Sequence, residues 1–444
     1  MNTKTLGALI LSSAFLTFSA AAADQHWPHW RGPAADGVAP TGKPPLEWSE
    51  EKNIKWKAPI AGAGHSTPII WGDRVFILTA VPGQSAPVAA PATPPPAEGQ
   101  RGGGRGRGEA PTTEYSFDLV CLDRNTGQEL WRKNCRKEVP HEGHHQTNTY
   151  ASGSPVTDGK HVWVHYGSRG VFCFTVEGQL VWEKDFGKMR TRNGFGEGSS
   201  PVLVDGKLII LWDTEAGSWI AALDAKTGNQ VWKQDRDEPT TWSTPLVVEH
   251  DGKKQVVVNA TKAVRSYDVA TGELLWHCAG QTVNAIPSPV TDGEMLYVMS
   301  GFRGNAAFGI QLGGTGDLAA SPFVKWKLDR GTPYVPSPLL YENTLYFLQG
   351  NEGIFSAVNA KTGEVYFQQE RLPGIRGVYA SPVAAGGRIY LASREGVTLV
   401  LEPGKTVKVL ATNKLADPID ASPVVIGNDL YLRTHTHLYC IAER

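Results

Sequence analysis

Short apolar runs separated by turn residues fill this chain, and they recur as one unit. In "SPVTDGKHVWVHYG" and "SPVLVDGKLIILWD" an Asp-Gly pair divides two such runs, the pattern of a hairpin whose glycine accepts positive φ. The strings "CLDRNTGQELW", "ALDAKTGNQVW", "SYDVATGELLW" and "AVNAKTGEVYF" then supply a third strand, a Thr-Gly turn and a fourth strand ending in an aromatic. Each unit is headed by Ser/Thr-Pro, at Thr67-Pro68, Ser154-Pro155, Ser200-Pro201, Thr244-Pro245, Ser288-Pro289, Ser337-Pro338, Ser381-Pro382 and Ser422-Pro423. From the second unit onward the prolines stand 46, 44, 44, 49, 44 and 41 residues apart. Four short strands at that period predict an all-β fold, an eight-bladed β-propeller of four-stranded antiparallel blades.

The aromatic that ends the fourth strand is Trp131, Trp182, Trp232 or Trp276, with Phe367 in a degenerate unit. A bulky ring repeated once per blade is expected to pack between neighbouring sheets rather than to serve as a ligand platform. The last unit, "HLYCIAER", stops one strand short, whereas "NIKWKAPI" is a lone fourth strand with Trp56 at the aromatic position. Pairing the two closes the ring and removes the open sheet edges.

Three segments depart from the repeat. At the N-terminus, Lys4 precedes an apolar run from Leu6 to Phe18 and a patch of small residues ending at Ala23. That order reads as a cleavable signal peptide over residues 1–23, too short to span a membrane, and no Cys near the cut offers a lipid anchor. Residues 24–50 form a leader and 51–444 the propeller, in a protein expected to be periplasmic or secreted, without a membrane span, and monomeric. Blade 1 carries a Pro-, Gly- and Arg-rich insertion over 81–115, a composition that cannot offset its ordering entropy. Its "RGGGRGRG" core is expected to be a solvated linker.

With 43 basic and 44 acidic side chains the net charge is -1, which supplies no global field for nucleic acid, so no nucleic-acid partner is expected. Five cysteines without a C-x-x-C predict neither a disulfide framework nor a cysteine metal site. Cys121, Cys173 and Cys440 share a third-strand position that Ala222 and Ser266 fill elsewhere, a place that wants a small side chain.

In a four-stranded meander, the loop entering the innermost strand and the loop between the second and third strands emerge on one face. These loops carry Arg190, Arg192, Asn193, Glu197, Trp242, Asn284, Arg303, Arg330, Tyr334, Arg376 and Tyr379, while the opposite face receives mostly tight hairpin turns. Arginines converging on a polar mouth suit a carboxylated or otherwise anionic ligand, and acidic neighbours in the same ring could instead neutralise them. "NGFGEGSSP" resembles a phosphate loop, but it leads into a strand rather than a helix, so it marks a loop aimed at the axis. His435 and His437 in "RTHTHLYC", at i and i+2, are half of a metal site with "HEGHH", or a polar strand edge. Asp417 with Asp420, and Asp213 with Glu215, are paired carboxylates suited to acid–base work, which admits polysaccharide binding or cleavage.

The repeats "LDAKTGNQVW" and "YDVATGELLW" resemble the PQQ-like repeat propellers, which include BamB-type outer-membrane assembly factors and quinoprotein dehydrogenases. The resemblance covers roughly residues 50–444, and "WPHWRGPAADGV" looks like the start of a secreted bacterial "PQQ-binding-like" subfamily. Likeness to BamB implies a non-catalytic scaffold that docks an envelope or outer-membrane partner, or an anionic glycan, through its loop-rich face. Likeness to the dehydrogenases implies PQQ and Ca2+ near the axis and oxidation of alcohols or sugars. The series Glu197, Trp242, Asn284, Asp329, Arg330 offers the residue types in order: Glu197 and Asn284 for the metal, Trp242 to stack, Arg330 near the quinone oxygens and Asp329 as base. The intervals depart from that branch and the adjacent Cys-Cys pair of many alcohol-oxidising members is missing, so the binding role leads.

Overall fold

The computed structural model describes residues 26–39, 41–83 and 109–443. The expected signal peptide, the Arg101–Gly108 tract and most of the blade 1 insertion lie outside the described residues. Around the insertion, the second and third strands of blade 1 extend over Arg74–Pro82 and Tyr115–Asp123.

Eight antiparallel sheets form the blades, and apart from two 3-10 turns there is no helix among the described residues. Blade 3 shows the plan, running outward from the axis as Val202–Val204, Lys207–Trp212, Ser218–Asp224 and Gln230–Arg236. Its inner hairpin turns through Asp205 and Gly206 at φ 46° and 70°, the left-handed pair that a two-residue connection requires. The ring closes as expected: Ile54–Pro59 lies antiparallel to His437–Ile441 and becomes the outermost strand of blade 8.

Neighbouring blades are joined by two repeated devices. The first explains the Ser/Thr-Pro marker. Proline cannot donate a hydrogen bond, but the residue before it can, and here each such N–H donates to the hydroxyl of the equivalent residue in the next blade. The bonds run from Thr67 to Ser154, Ser200, Thr244, Ser288, Ser337, Ser381, Ser422 and back to Thr67, at 2.9–3.2 Å. All of these residues are buried, so the closed belt satisfies donors that would otherwise be stranded around the channel.

The second device is the aromatic. Across the third and fourth strands, Cys121 faces Trp131, Cys173 faces Trp182, Ala222 faces Trp232, Ser266 faces Trp276 and Cys440 faces Trp56. The small residue is therefore the floor on which the ring lies. The indole N–H of Trp56, Trp182 and Trp232 donates to Arg124, Ala225 and Val269 in the Thr-Gly turn of the next blade. Those turn glycines are held at positive φ, and a methyl at Gly228 would lie 2.8 Å from the Trp182 ring. A seventh ring, Trp326, does the same through Ala360. Its place in the repeat is obscured by Leu312–Phe323, which inserts a short strand, Gly316–Asp317, beside Trp276. At roughly 25 cal/mol per Å2, each buried ring contributes an upper bound of about 4 to 6 kcal/mol. The five cysteines are free and buried, and burial pushes the Cys121 thiol up to about 12.

The leader closes the channel from the hairpin-turn side. His26–Trp27 pairs with the inner strand of blade 1, Pro28 accepts from Thr157 of blade 2, and Val38–Ala39 pairs with the inner strand of blade 7. Between them the buried Arg31 donates to the carbonyls of Pro338, Pro382 and Asp36. Desolvation pushes its guanidinium down to about 10.

Candidate functional site

With the hairpin face plugged, the accessible end of the axis is the mouth on the loop-rich face. There most of the acidic side chains are engaged by the protein's own donors. Asp213 forms a bidentate pair with Arg236, 2.7 and 3.0 Å, with both side chains fully buried, and Tyr267 Oη lies 2.6 Å from the guanidinium. Glu215 accepts from the backbone and hydroxyl of Thr240. Glu238 pairs with Arg265, and Asp417 accepts from Thr436. Neither carboxylate pair named from sequence is therefore a free acid–base couple.

Glu197 is likewise engaged. It accepts from the Ser168 backbone at 2.8 Å, the Ser168 hydroxyl at 2.5 Å and Arg169 at 3.1 Å. Gly167, at φ 56°, makes room for it, since a Cβ there would collide with the carboxylate. Trp242 donates to Gly196 at 2.7 Å, fixing the glycine loop, while Asn193 is exposed at φ 55°. Asn284 is buried with its side-chain oxygen unpartnered, as are the amide atoms of Gln281. Such groups are commonly met by ordered water. Asp329 and Arg330 are exposed and are not among the polar partners of Glu197, which are Ser168 and Arg169. The cavity beside Glu197 and Asp213 has a volume of about 30 Å3, enough for water and an order of magnitude short of a small-molecule pocket. An open hollow of about 340 Å3 lies on the hairpin face between blades 1 and 2, where Arg74 donates to the Val176 carbonyl across the blades and Asp123 accepts from its own Thr-Gly turn.

The arginines behave differently from the acids. Arg190, Arg303, Arg330 and Arg376 are exposed and Arg192 is half-buried. Among the described residues, none of these five guanidiniums has a carboxylate within salt-bridge distance, whereas the buried Arg169 and Arg236 and the partly buried Arg394 each have one. Arg303 stacks over Phe302, which in turn stacks on Tyr334 at 4.7 Å. Glu215 and Asp417 are held by neutral donors and Asp329 is exposed, so the mouth presents five arginines free of carboxylates beside acids that are mostly tied down.

Where blade 8 meets blade 1, His65, Asp420 and His435 converge. Both imidazole Nε2 atoms approach Asp420 Oδ2, at 3.3 Å from His65 and 2.9 Å from His435, and Arg394 Nε lies 3.0 Å from Oδ1. Arg394 is itself stacked over Tyr379 at 4.8 Å. Although the Asp420 carboxyl is buried, its histidine and arginine neighbours hold it below the usual carboxylate range, and burial pushes His65 down to about 4. His437 does not join them: its Nδ1 meets the Thr436 hydroxyl and its ring packs on Tyr439. The i, i+2 argument lapses because residues 434–436 form a turn between strands, not a strand. In "HEGHH", His141 meets Met189, His144 packs edge-on against Tyr150 and His145 against Phe195. Nothing in the local sequence pairs His65 with His435, because only ring closure brings the two together.

The family model described as outer membrane protein assembly factor BamB matches residues 116–279 and 216–444, most of the chain. The chain belongs to this family of PQQ-like repeat propellers. Among solved BamB-like propellers, BamB from Moraxella catarrhalis superposes with a TM-score of 0.54 at 15% identity, over 73% of this chain and 93% of that one. A quinohemoprotein alcohol dehydrogenase from Comamonas testosteroni superposes with a TM-score of 0.58 at 11% identity, over 96% and 82%. These similarities show the fold. Methanol dehydrogenase [cytochrome c] subunit 1 of Methylorubrum extorquens is 24% identical over 205 residues, 40% of this chain and 29% of that subunit. The chain thus spans less than a third of that curated relative. No helix among the described residues is long and apolar enough to cross a membrane.

Proposed function

We propose that this BamB-family propeller is a non-catalytic binding protein of the bacterial envelope, whose loop-rich face docks an acidic surface on a partner protein. The observation that carries the reading is the difference between the two signs of charge at the mouth: Glu197, Asp213, Glu238 and Asp420 are paired with arginines, while Arg190, Arg192, Arg303, Arg330 and Arg376 have no carboxylate partner. Solvent-accessible guanidiniums without a carboxylate partner are available for bidentate pairing with carboxylates, Arg190 being steadied meanwhile by the Glu215 carbonyl. The family description supports a partner among outer-membrane barrel-assembly components. The test is affinity capture of such a component by wild type and by the double variant Arg190→Glu/Arg376→Glu. Capture should fall at least tenfold with Tm unchanged and should weaken with salt; equal capture by both proteins would refute the reading.

Similarity to the dehydrogenases raises the alternative of PQQ with Ca2+. Asn284 presents a free amide oxygen of the right type, but Glu197 is saturated by Ser168 and Arg169, and Asp329 and Arg330 stand apart at the surface. The adjoining cavity is also too small for a tricyclic quinone. These residues do not fit the cofactor, and no redox step is derived for them.

A further inference from the structure

We propose that His65, Asp420 and His435 bind a divalent transition metal, with Zn2+ the best match, at the mouth of the channel. Their ligand atoms all lie within 4.8 Å of one another, and no other such group of His, Cys, Asp or Glu occurs among the described residues. In a tetrahedral shell with bonds of about 2.0–2.1 Å, ligand atoms stand roughly 3.3 Å apart. Of the two Nε2 to Oδ2 separations, that of His65, 3.3 Å, equals this spacing, and that of His435, 2.9 Å, needs to open by a few tenths of an ångström.

The arrangement around the three ligands is that of a supported site. They come from three loops, each tied to its neighbours through the backbone: His65 N–H donates to Ala151, His435 N–H to Pro418 and Ile419 N–H to Ser393. Arg394 Nε stands 3.0 Å from Asp420 Oδ1 as an ion-pair contact, on the side of the carboxylate away from the Oδ2 that faces both imidazoles. A partner on the outer oxygen of a ligating carboxylate is a common way to fix a ligand's direction. The Asp420 side chain is 1% exposed, whereas those of His65 and His435 are 16% and 25% exposed, so the open side of the cluster faces the mouth. Three protein ligands with a fourth position toward solvent leave room for water or for an anionic oxygen brought by a bound ligand. Two imidazoles select against Ca2+ and Mg2+, which take oxygen shells, and favour the later first-row metals. This inference stands apart from the docking role: a partner could bind the arginine rim with or without a metal.

The test uses the full mature chain, dialysed against a chelator and titrated calorimetrically with Zn2+, alongside Co2+ absorption. Wild type should take up one Zn2+ per chain and give the intense visible bands of tetrahedral Co2+. His65→Ala and His435→Ala should each weaken Zn2+ at least 100-fold and abolish those bands, while His437→Ala and His141→Ala leave both intact. Circular dichroism of each variant confirms that it is folded. Absence of stoichiometric Zn2+ uptake by wild type, or equal loss on changing His437, overturns the proposal and leaves the cluster as a hydrogen-bonded network.

Discussion

Replacing Ser381 by Ala removes one link of the hydroxyl belt and tests whether the belt holds the ring. The Ser381 hydroxyl accepts the Ser337 N–H at 2.9 Å, while its own N–H donates to Ser422 at 3.0 Å and is unaffected. Ser337 is 4% exposed, so its N–H would be left in a buried place without water. Stranding a buried donor costs about 1 to 3 kcal/mol, more than the net value of the bond, because the folded state loses the acceptor while the unfolded chain keeps its solvent. A loss of about 2 kcal/mol corresponds to roughly a 30-fold faster local exchange of the Ser337 amide, if that amide opens by breathing of the inner strands. For a chain of this length the same loss lowers Tm by only about 2 °C, so amide exchange read by mass spectrometry is the sharper assay. Ser381→Thr keeps the hydroxyl, as Thr67 and Thr244 do when they accept from Ser422 and Ser200, and should retain protection. Unchanged exchange at Ser337 in Ser381→Ala would refute the reasoning, as would equal deprotection in Ser381→Thr.

Other predictions follow from single contacts. Asp213→Ala removes the carboxylate partner of the buried Arg236 and should cost about 3 to 5 kcal/mol in urea unfolding, whereas breaking an exposed pair such as Lys361 with Glu294 should leave the unfolding midpoint nearly unchanged. Gly228→Ala, at φ 70° with its new methyl 2.8 Å from Trp182, should destabilise by at least 1 to 2 kcal/mol and shift the tryptophan fluorescence. His165 is buried and its pKa is lowered from 6.5 to about 4 by desolvation. The unfolded chain therefore protonates first. The stability His165 contributes is fully present above pH 6.5 and is lost as pH falls toward 4, roughly 3 kcal/mol in all, and His165→Gln should flatten that part of the stability profile.

Much of the architecture was legible in the chain because a propeller writes its period into its turns. Asp-Gly, Thr-Gly and the fourth-strand aromatic each answer a local demand of backbone conformation or packing, and so recur where the repeat places them. The purpose of Ser/Thr-Pro was not legible, since its hydroxyl serves a donor one blade away. Trp326 was hidden for a different reason, an insertion that moves the turn from its usual distance. The leader reads as an unusual composition until the ring exists to receive it, because Arg31 binds carbonyls that converge only in the closed propeller.

For the mouth, sequence gave the residues of the face but not their pairings. Glu197, Asp213 and Glu215 looked as available as the arginines, and only their contacts separate the spent charges from the free ones. His435 illustrates the same limit, since its partner His65 comes from the other end of the chain.

The docking role is tested most directly by placing a photo-crosslinking residue at Arg376 on the loop-rich face or at Lys253 on the exposed hairpin face of blade 4. In intact cells the Arg376 position should trap a discrete envelope protein partner and the Lys253 position should not. Crosslinks from Lys253 alone, or none from Arg376, would contradict the account.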